Sequence, residues 1–335
     1  MTVARVIFAF FPVALFVCSL LYIDSYKLVK MKTLVRVLVC GGIAAMASYV
    51  INQKILEAFL LDHRTLTHVV APAVEEALKL IPVLFLLRTK RIGFVIDAAI
   101  AGFAAGAGFA VVENLYYISV LVDSNLGFWV VRGFGTAVMH GGTTAIAAMI
   151  TKALYQRRET EPLLLVLPGF LIAFLIHSLF NRFLVSPLIS ALAVTVILPP
   201  LMVFVFAQSE RYVQAWLGSG FDLDADLLKA IRSGDFASTR PGRYLQSLRD
   251  HFDGAVVADM FCYLRLSAEL SIRAKGVLML RENGLPVTKD AETAAKLTEM
   301  KYLKKTIGRT GQLAVAPILR RSTHDIWQLE LLKET

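Results

Sequence analysis

Apolar runs close to the ~20 residues that carry a helix across a bilayer recur along the first 207 residues and then stop. Seven of them predict transmembrane helices over about 3–23, 33–51, 67–87, 93–122, 128–150, 162–185 and 187–207. The first run, Val3 to Ile23, is long for a signal peptide and has no small-x-small cleavage site, so it reads as a retained anchor. In the fourth, Gly102, Gly106 and Gly108 favour close helix approach, and its length allows tilt or a kink. Beyond Gln208 helical periodicity returns in shorter stretches, 223–232, 243–270 and 289–306, with breaks expected at Gly218–Gly220, Pro241–Gly242 and Gly284–Pro286. The predicted fold is all-α: a polytopic transmembrane helical bundle over residues 1–207, then a mainly helical C-terminal region, 208–335, expected to be cytosolic and to regulate or to recruit a partner.

Charge sharpens this division. Residues 1–207 hold sixteen Lys/Arg and ten Asp/Glu, whereas the shorter 208–335 holds nineteen and sixteen. A net charge of +9 raises nucleic acid as a partner, but the basic excess of the apolar part sits in short loops, which argues for topology signals and against nucleic-acid binding. Lys27, Lys30 and Lys32 follow span one, Arg88, Lys90 and Arg91 follow span three, and Lys152, Arg157 and Arg158 follow span five. The intervening loops are poorer in bases, with Lys54 and Arg64, none around Asp123–Gly127, and Arg182. The expected topology is therefore N-terminus outside and C-terminus in the cytoplasm. Three cysteines without paired spacing, Cys18, Cys40 and Cys262, suggest neither a disulfide framework nor a thiolate zinc site.

Charged groups inside spans are costly and call for partners, a wet cavity or a function. Here they gather. Span three carries Glu75, Glu76 and Lys79, span four Glu113 and Asn114, span five His140 and Thr144, and span six His177 and Asn181. The i,i+4 spacing predicts a Glu75–Lys79 pair and leaves Glu76, about 100° round the helix, to face a cavity. At ~1.5 Å per residue the cluster converges on the outer half of a core about 30 Å thick. Asp97 and Arg132, near span ends, are explained by snorkelling or interfacial pairing. Such a set suits hydrolysis, which needs an activated water, a proton donor and oxyanion stabilisation, but it also suits a proton-coupled transporter or a non-catalytic scaffold. The absence of an evident inverted repeat weighs against the transporter.

Four ordered segments, E-E-x-x-K at Glu75–Lys79, a Gly/Phe-rich stretch ending E-N at Gly106–Asn114, H-x-x-x-T at His140–Thr144 and H-x-x-x-N at His177–Asn181, resemble the PrsW family of intramembrane proteases. That family is related to the CAAX prenyl proteases. The resemblance implies a protease of the bacterial cytoplasmic membrane acting on membrane-associated proteins, with anti-sigma-factor processing as the known style of role. By analogy it implies that Glu75, Glu76 and His140 position and deprotonate water, that His177 and Asn181 bind the oxyanion, and that Glu113 and Asn114 orient the set, supported by Lys79 and Thr144. The carboxylate and imidazole donors also suit a divalent metal such as zinc, although no H-E-x-x-H helix is present, so metal-dependent and metal-free routes stay open.

Overall fold

The computed structural model describes residues 2–24, 29–121, 124–158, 162–288, 290–319, 327–329 and 331–332. Lys27 and Asp123, used above for topology, lie outside the described residues, as do the side chains of Arg157 and Arg158. Every described element is helical, with no strand among them. The chain divides into two compact units, Met1–Ser209 and Glu210–Thr335.

The first unit contains α1 (Thr2–Ile23), α2 (Met31–Phe59), α3 (Ala71–Arg88), α4 (Val95–Val120), α5 (Val138–Arg158), α6 (Pro162–Asn181) and the start of α7 (Pro187–Ser233). Five of these, α1, α2, α4, α6 and α7, are long and apolar enough to cross a membrane by length and composition. The expected spans over 67–87 and 128–150 do not meet that measure. Glu75, Glu76, Lys79 and Arg88 make α3 too charged, and the fifth segment is divided by a π-helical stretch, Val131–Ala137, from the polar start of α5.

Helix α4 is the axis of the bundle: 83% of its apolar window is buried, against 17–39% for the other four. Its sequence explains this. The run A-A-I-A-G-F-A-A-G-A-G-F-A offers mostly small side chains, which let neighbouring backbones approach on both sides. A Cβ at Gly108 would overlap the Leu38 carbonyl of α2, and one at Gly106 would overlap the His140 carbonyl of α5. The glycines expected to permit close approach thus fix where His140 stands. Gly106→Ala is expected to push α5 away, lowering stability by about 1–3 kcal/mol with loss of activity. Gly218→Ala, with nothing within 4 Å of its added methyl, should instead stabilise α7 by up to about 1 kcal/mol. Thermal unfolding of the two variants checks this contrast, and equal shifts would contradict it.

At the start of α4, Asp97 accepts the backbone N–H groups of Gly93 (2.8 Å) and Phe94 (3.0 Å), an N-terminal capping role that accounts for its charge at a span end. Lys152 donates to the Ile92 carbonyl at 3.1 Å and holds the same turn.

In the second unit, α7 runs on to Ser233, so the break expected at Gly218–Gly220 does not occur. Isolated glycines weaken a helix by roughly 1 kcal/mol each without ending it. Pro241–Gly242 begins α8 (Arg240–Ser247) behind a Thr239 cap. The break at Gly284, in a left-handed conformation at φ +68°, does end α9 (Gly254–Glu282). Helices α10 (Ala291–Thr306) and α11 (Gly308–Leu319) follow. Buried Lys275 pairs with Asp224 at 2.6 Å and lies over the Trp216 ring at 5.3 Å, so the unit encloses its own cation.

Candidate functional site

Helix α3 delivers two carboxylates with opposite surroundings. Glu76 is fully buried, and its Oε1 accepts from Lys79 Nζ (2.6 Å), His177 Nδ1 (2.8 Å) and Thr143 Oγ1 (3.1 Å). Its Oε2 is buried without a hydrogen-bond partner among the described residues. Glu75 has no such set: its nearest described ion-pair contact is His177 Nε2, 3.8 Å from Oε2, and it lines a cavity. The expected arrangement is therefore inverted. Lys79 pairs with Glu76 at i,i+3, and Glu75 is the carboxylate that faces the cavity. Both spacings bring side chains together on a helix, and the positions of α5 and α6 decide between them.

The histidines continue the network. Lys79 Nζ lies 2.9 Å from His140 Nδ1, and since an ammonium can only donate, that nitrogen accepts. His140 Nε2 then carries the proton and donates to Glu113 Oε2 at 3.1 Å. For His177 the logic reverses: Nδ1–H donates to Glu76, which leaves Nε2 bare and turned towards Glu75. The two rings meet edge to face with centroids 4.8 Å apart, and Phe109 flanks His140 at 4.9 Å.

Arg132 belongs to this network, a role not visible in its place near a span end. Its Nη2 stands 2.8 Å from Glu113 Oε2, an ion pair without aligned hydrogen-bond geometry, while its Nε donates to Asn114 Oδ1 at 2.8 Å. The guanidinium covers the Tyr117 ring at 3.9 Å. Asn114 in turn donates to the Ala9 carbonyl of α1 at 2.8 Å. Snorkelling does not describe a side chain only 8% exposed. The signal for Arg132 in the sequence is its arginine in a glycine-rich segment, V-V-R-G-F-G, which forms the π-helical turn that aims it inward.

Thr143, also missed, is the hydroxyl that reaches Glu76, although it also lies 3.2 Å from the His140 carbonyl. The charged acceptor makes the stronger bond. Thr144 only closes back on the His140 carbonyl at 2.9 Å, one turn earlier. Asn181 is not brought to the cluster by any described contact. Its amide donates to the Thr67 carbonyl at 3.0 Å, and Ser178 donates to the His68 carbonyl next to it. Pro72 explains both bonds: it has no N–H to serve carbonyls four or five residues earlier, in the π-helical stretch Leu66–Val70, and α6 supplies the donors.

Glu75 and Glu113 open onto one cavity of about 930 Å³ between α2 and α4. Among the described residues, Glu75, His140 and His177 form the group able to share a metal ion, with ligand atoms all within 4.8 Å of one another. One carboxylate with two imidazoles is a donor set zinc accepts. The Glu76 bond to His177 Nδ1 fits as well, because it fixes Nε2 as the ligating atom. His140 would have to exchange its Glu113 contact to ligate through Nε2.

These features define a multi-pass helical membrane protein whose ionisable side chains are drawn into one buried network opening on a cavity. A family model described as PrsW family intramembrane metalloprotease matches residues 30–208, more than half of the chain, and the chain belongs to that family of intramembrane proteases. No curated protein and no solved structure matches it.

Proposed function

We propose that this chain hydrolyses peptide bonds of membrane-associated proteins, with Glu75 as the group that takes the proton from water. The observation that carries this is the division of labour between adjacent glutamates: Glu76 is bound up with a cation, a hydroxyl and an imidazole, whereas Glu75 faces the cavity. Glu75 Oε2 and His177 Nε2, 3.8 Å apart, are close enough for one water to bond to both. Proton transfer to Glu75 leaves hydroxide to attack the carbonyl carbon, and the leaving nitrogen then needs a proton. The proton taken up by Glu75 is the one passed to the leaving nitrogen, and His140 Nε2–H, once released from Glu113, is a hydrogen-bond donor for the oxyanion. His177, with its bare nitrogen, serves as acceptor beside Glu75, so in this reading the two histidines exchange the roles that the family resemblance implied. A divalent ion held by Glu75, His140 and His177 would supply Lewis acidity in a separate, metal-dependent route, in which Glu75 and His140 Nε2 would serve as ligands and not as base and donor. Asn181 anchors α6 in this reading instead of contacting the oxyanion.

The proposed substrates are single-span or membrane-anchored proteins, anti-sigma-factor-like proteins among them, in a bacterial cytoplasmic membrane. The proposed topology has the N-terminus outside and seven spans, α5 being largely sheltered by its neighbours and α3 turning Ile81 and Phe85 outward. Loop charge supports a cytoplasmic second unit, which would recruit or respond to a cytosolic partner.

Purified protein in liposomes, incubated with single-span substrates, tests the reading. Wild type should cleave, while Glu75→Gln and His177→Ala should not, with unchanged elution as folded protein. Chelation of metal-stripped wild type decides the cofactor: persisting cleavage removes the metal route, and loss restored by zinc establishes it. Cleavage by Glu75→Gln at the wild-type rate would sink the proposed base.

A further inference from the structure

We infer that the second unit carries a face for anionic phospholipid headgroups, built by the last turns of α10 and the start of α11, and that this face binds the surface of the bilayer holding the first unit. Charge in the second unit is not spread evenly. From Met300 to His324 the chain has six Lys/Arg and no Asp/Glu, whereas the rest of 208–335 has thirteen and sixteen. One segment is basic and its surroundings are acidic, so an anionic surface attracts the first and repels the second. Ion pairing and the helix dipole account for only part of this. Lys296, earlier on α10, is held by Glu269 at 2.8 Å and Glu292 at 2.7 Å. Lys301, Lys305 and Arg309 are exposed and make no ion pair among the described residues. Lys304 and Lys305 lie in the last turn of α10, where the helix dipole favours a cation. Arg309 stands in the first turn of α11, where the same dipole opposes one, so local helix electrostatics does not explain it.

Helical spacing gathers these cations with apolar side chains. Lys301 and Lys305 are i,i+4 and Tyr302 and Lys305 i,i+3, so the three share one face of α10, opposite buried Leu303 and Ile307. Arg309 and Leu313 likewise share a face of α11, opposite buried Gly311 and Val315. Gln312 Nε2 donates to the Lys304 carbonyl at 2.9 Å and ties the start of α11 to the last turn of α10. Tyr302 is 66% and Leu313 67% exposed. A single exposed apolar side chain is ordinary, but beside cations at helical spacing it forms the combination used at a membrane surface. The cations meet headgroup phosphates, and the tyrosine and leucine reach the acyl boundary. Leu313 has no ring to stack on a base, which favours lipid over nucleic acid as the anion. The chain passes from the first unit into the second at Ser209–Glu210, so the second unit stays tethered to the bilayer and a modest affinity suffices. Each Lys/Arg near such a surface favours association about fivefold, and three of them roughly a hundredfold. This face does not depend on peptide hydrolysis by the first unit.

The test uses the full chain in nanodiscs of phosphatidylcholine, with or without phosphatidylglycerol. A photoreactive benzoylphenylalanine replaces Tyr302 or, as a control in the same unit, Leu223, which is 57% exposed beside exposed Asp222. Lipid adducts are counted by mass spectrometry after illumination. The probe at Tyr302 should label lipid at least about tenfold more in discs containing phosphatidylglycerol, and 1 M salt, where screening acts within about 3 Å, should remove the gain. The probe at Leu223 should show no gain. Combined Lys301→Gln, Lys305→Gln and Arg309→Gln should return Tyr302 labelling to the phosphatidylcholine level with unchanged thermal unfolding, since all three side chains are exposed. Combined Lys301→Arg, Lys305→Arg and Arg309→Lys should keep it. Equal labelling in the two lipids, or labelling indifferent to the loss of the three charges, overturns the inference. Adducts with an added RNA oligonucleotide in preference to lipid would overturn it as well.

Discussion

Glu76→Gln and Glu75→Gln, adjacent and chemically identical substitutions, are expected to fail in different ways. Glu76 is the sole described carboxylate partner of Lys79, and both side chains are fully buried. Removing its charge leaves an ammonium enclosed among His140, His177 and the Phe109 ring, the last 5.0 Å from Nζ. Breaking one side of a buried pair costs about 3–5 kcal/mol, a large share of the stability of a typical domain. Glu76→Gln should therefore lower the unfolding temperature sharply and abolish cleavage. Glu75 lines the cavity and makes no close ion pair, so its amide replacement should change stability by less than about 1 kcal/mol. Its catalytic cost should be roughly 10²–10⁴-fold, the range of a general base. Thermal unfolding and cleavage measured on the same preparations separate the two. A stable Glu76→Gln protein would show that Lys79 is not held by this pair. Double replacement, Glu76→Gln with Lys79→Met, should recover stability without activity, since removing both buried charges removes the unpaired one.

Arg132→Gln is expected to be the second severe variant. Arg132 is the described cation in direct ion-pair contact with Glu113, and Glu113 shares its cavity with Glu75. Without the guanidinium, two carboxylates face each other across a low-dielectric space, and the Glu113 oxygen that orients His140 is released. The ordering bond from Arg132 to Asn114, and through it to Ala9 of α1, is lost as well. A displacement of about 1 Å at His140 is enough for a roughly 10²-fold fall in rate. Lysine restores the charge but not the fork that touches Glu113 and Asn114 together, so Arg132→Lys should recover only part of it. Recovery of full activity by Arg132→Lys would reduce the residue to a point charge. Wild-type behaviour in Arg132→Gln would remove it from the site altogether.

Much of the molecule was legible because lipid makes strong demands on sequence. Five apolar helices, the all-helical fold and the gathering of Glu, His and Lys in the segments between 71 and 181 are all written as hydropathy and its violations. The glycines of α4 were legible as sites of close approach, and they prove to be the contacts that fix His140 against α4. Breaks at glycine were overread. Gly284 ends a helix because the chain turns there with positive φ, while α7 passes through Gly218, which keeps a negative φ and weakens a helix by only about 1 kcal/mol.

Which partner each ionisable group takes was beyond sequence. Glu75 and Glu76 each lie within one turn of Lys79, and helical spacing alone ranks them nearly equally. The choice falls to Glu76 because α5 and α6 bring Thr143 and His177 to the same carboxylate oxygen. The same dependence governs Asn181, whose amide goes to a carbonyl freed by Pro72, and Arg132, turned inward by a π-helical segment. Sequence by itself thus determined the membrane class, the family resemblance and the inventory of chemistry. Tertiary structure alone decided which glutamate is anchored and which is exposed to the cavity, because a hydrogen bond depends on ångström-scale distances between separate helices, and those distances are set by packing and not by spacing along any one of them.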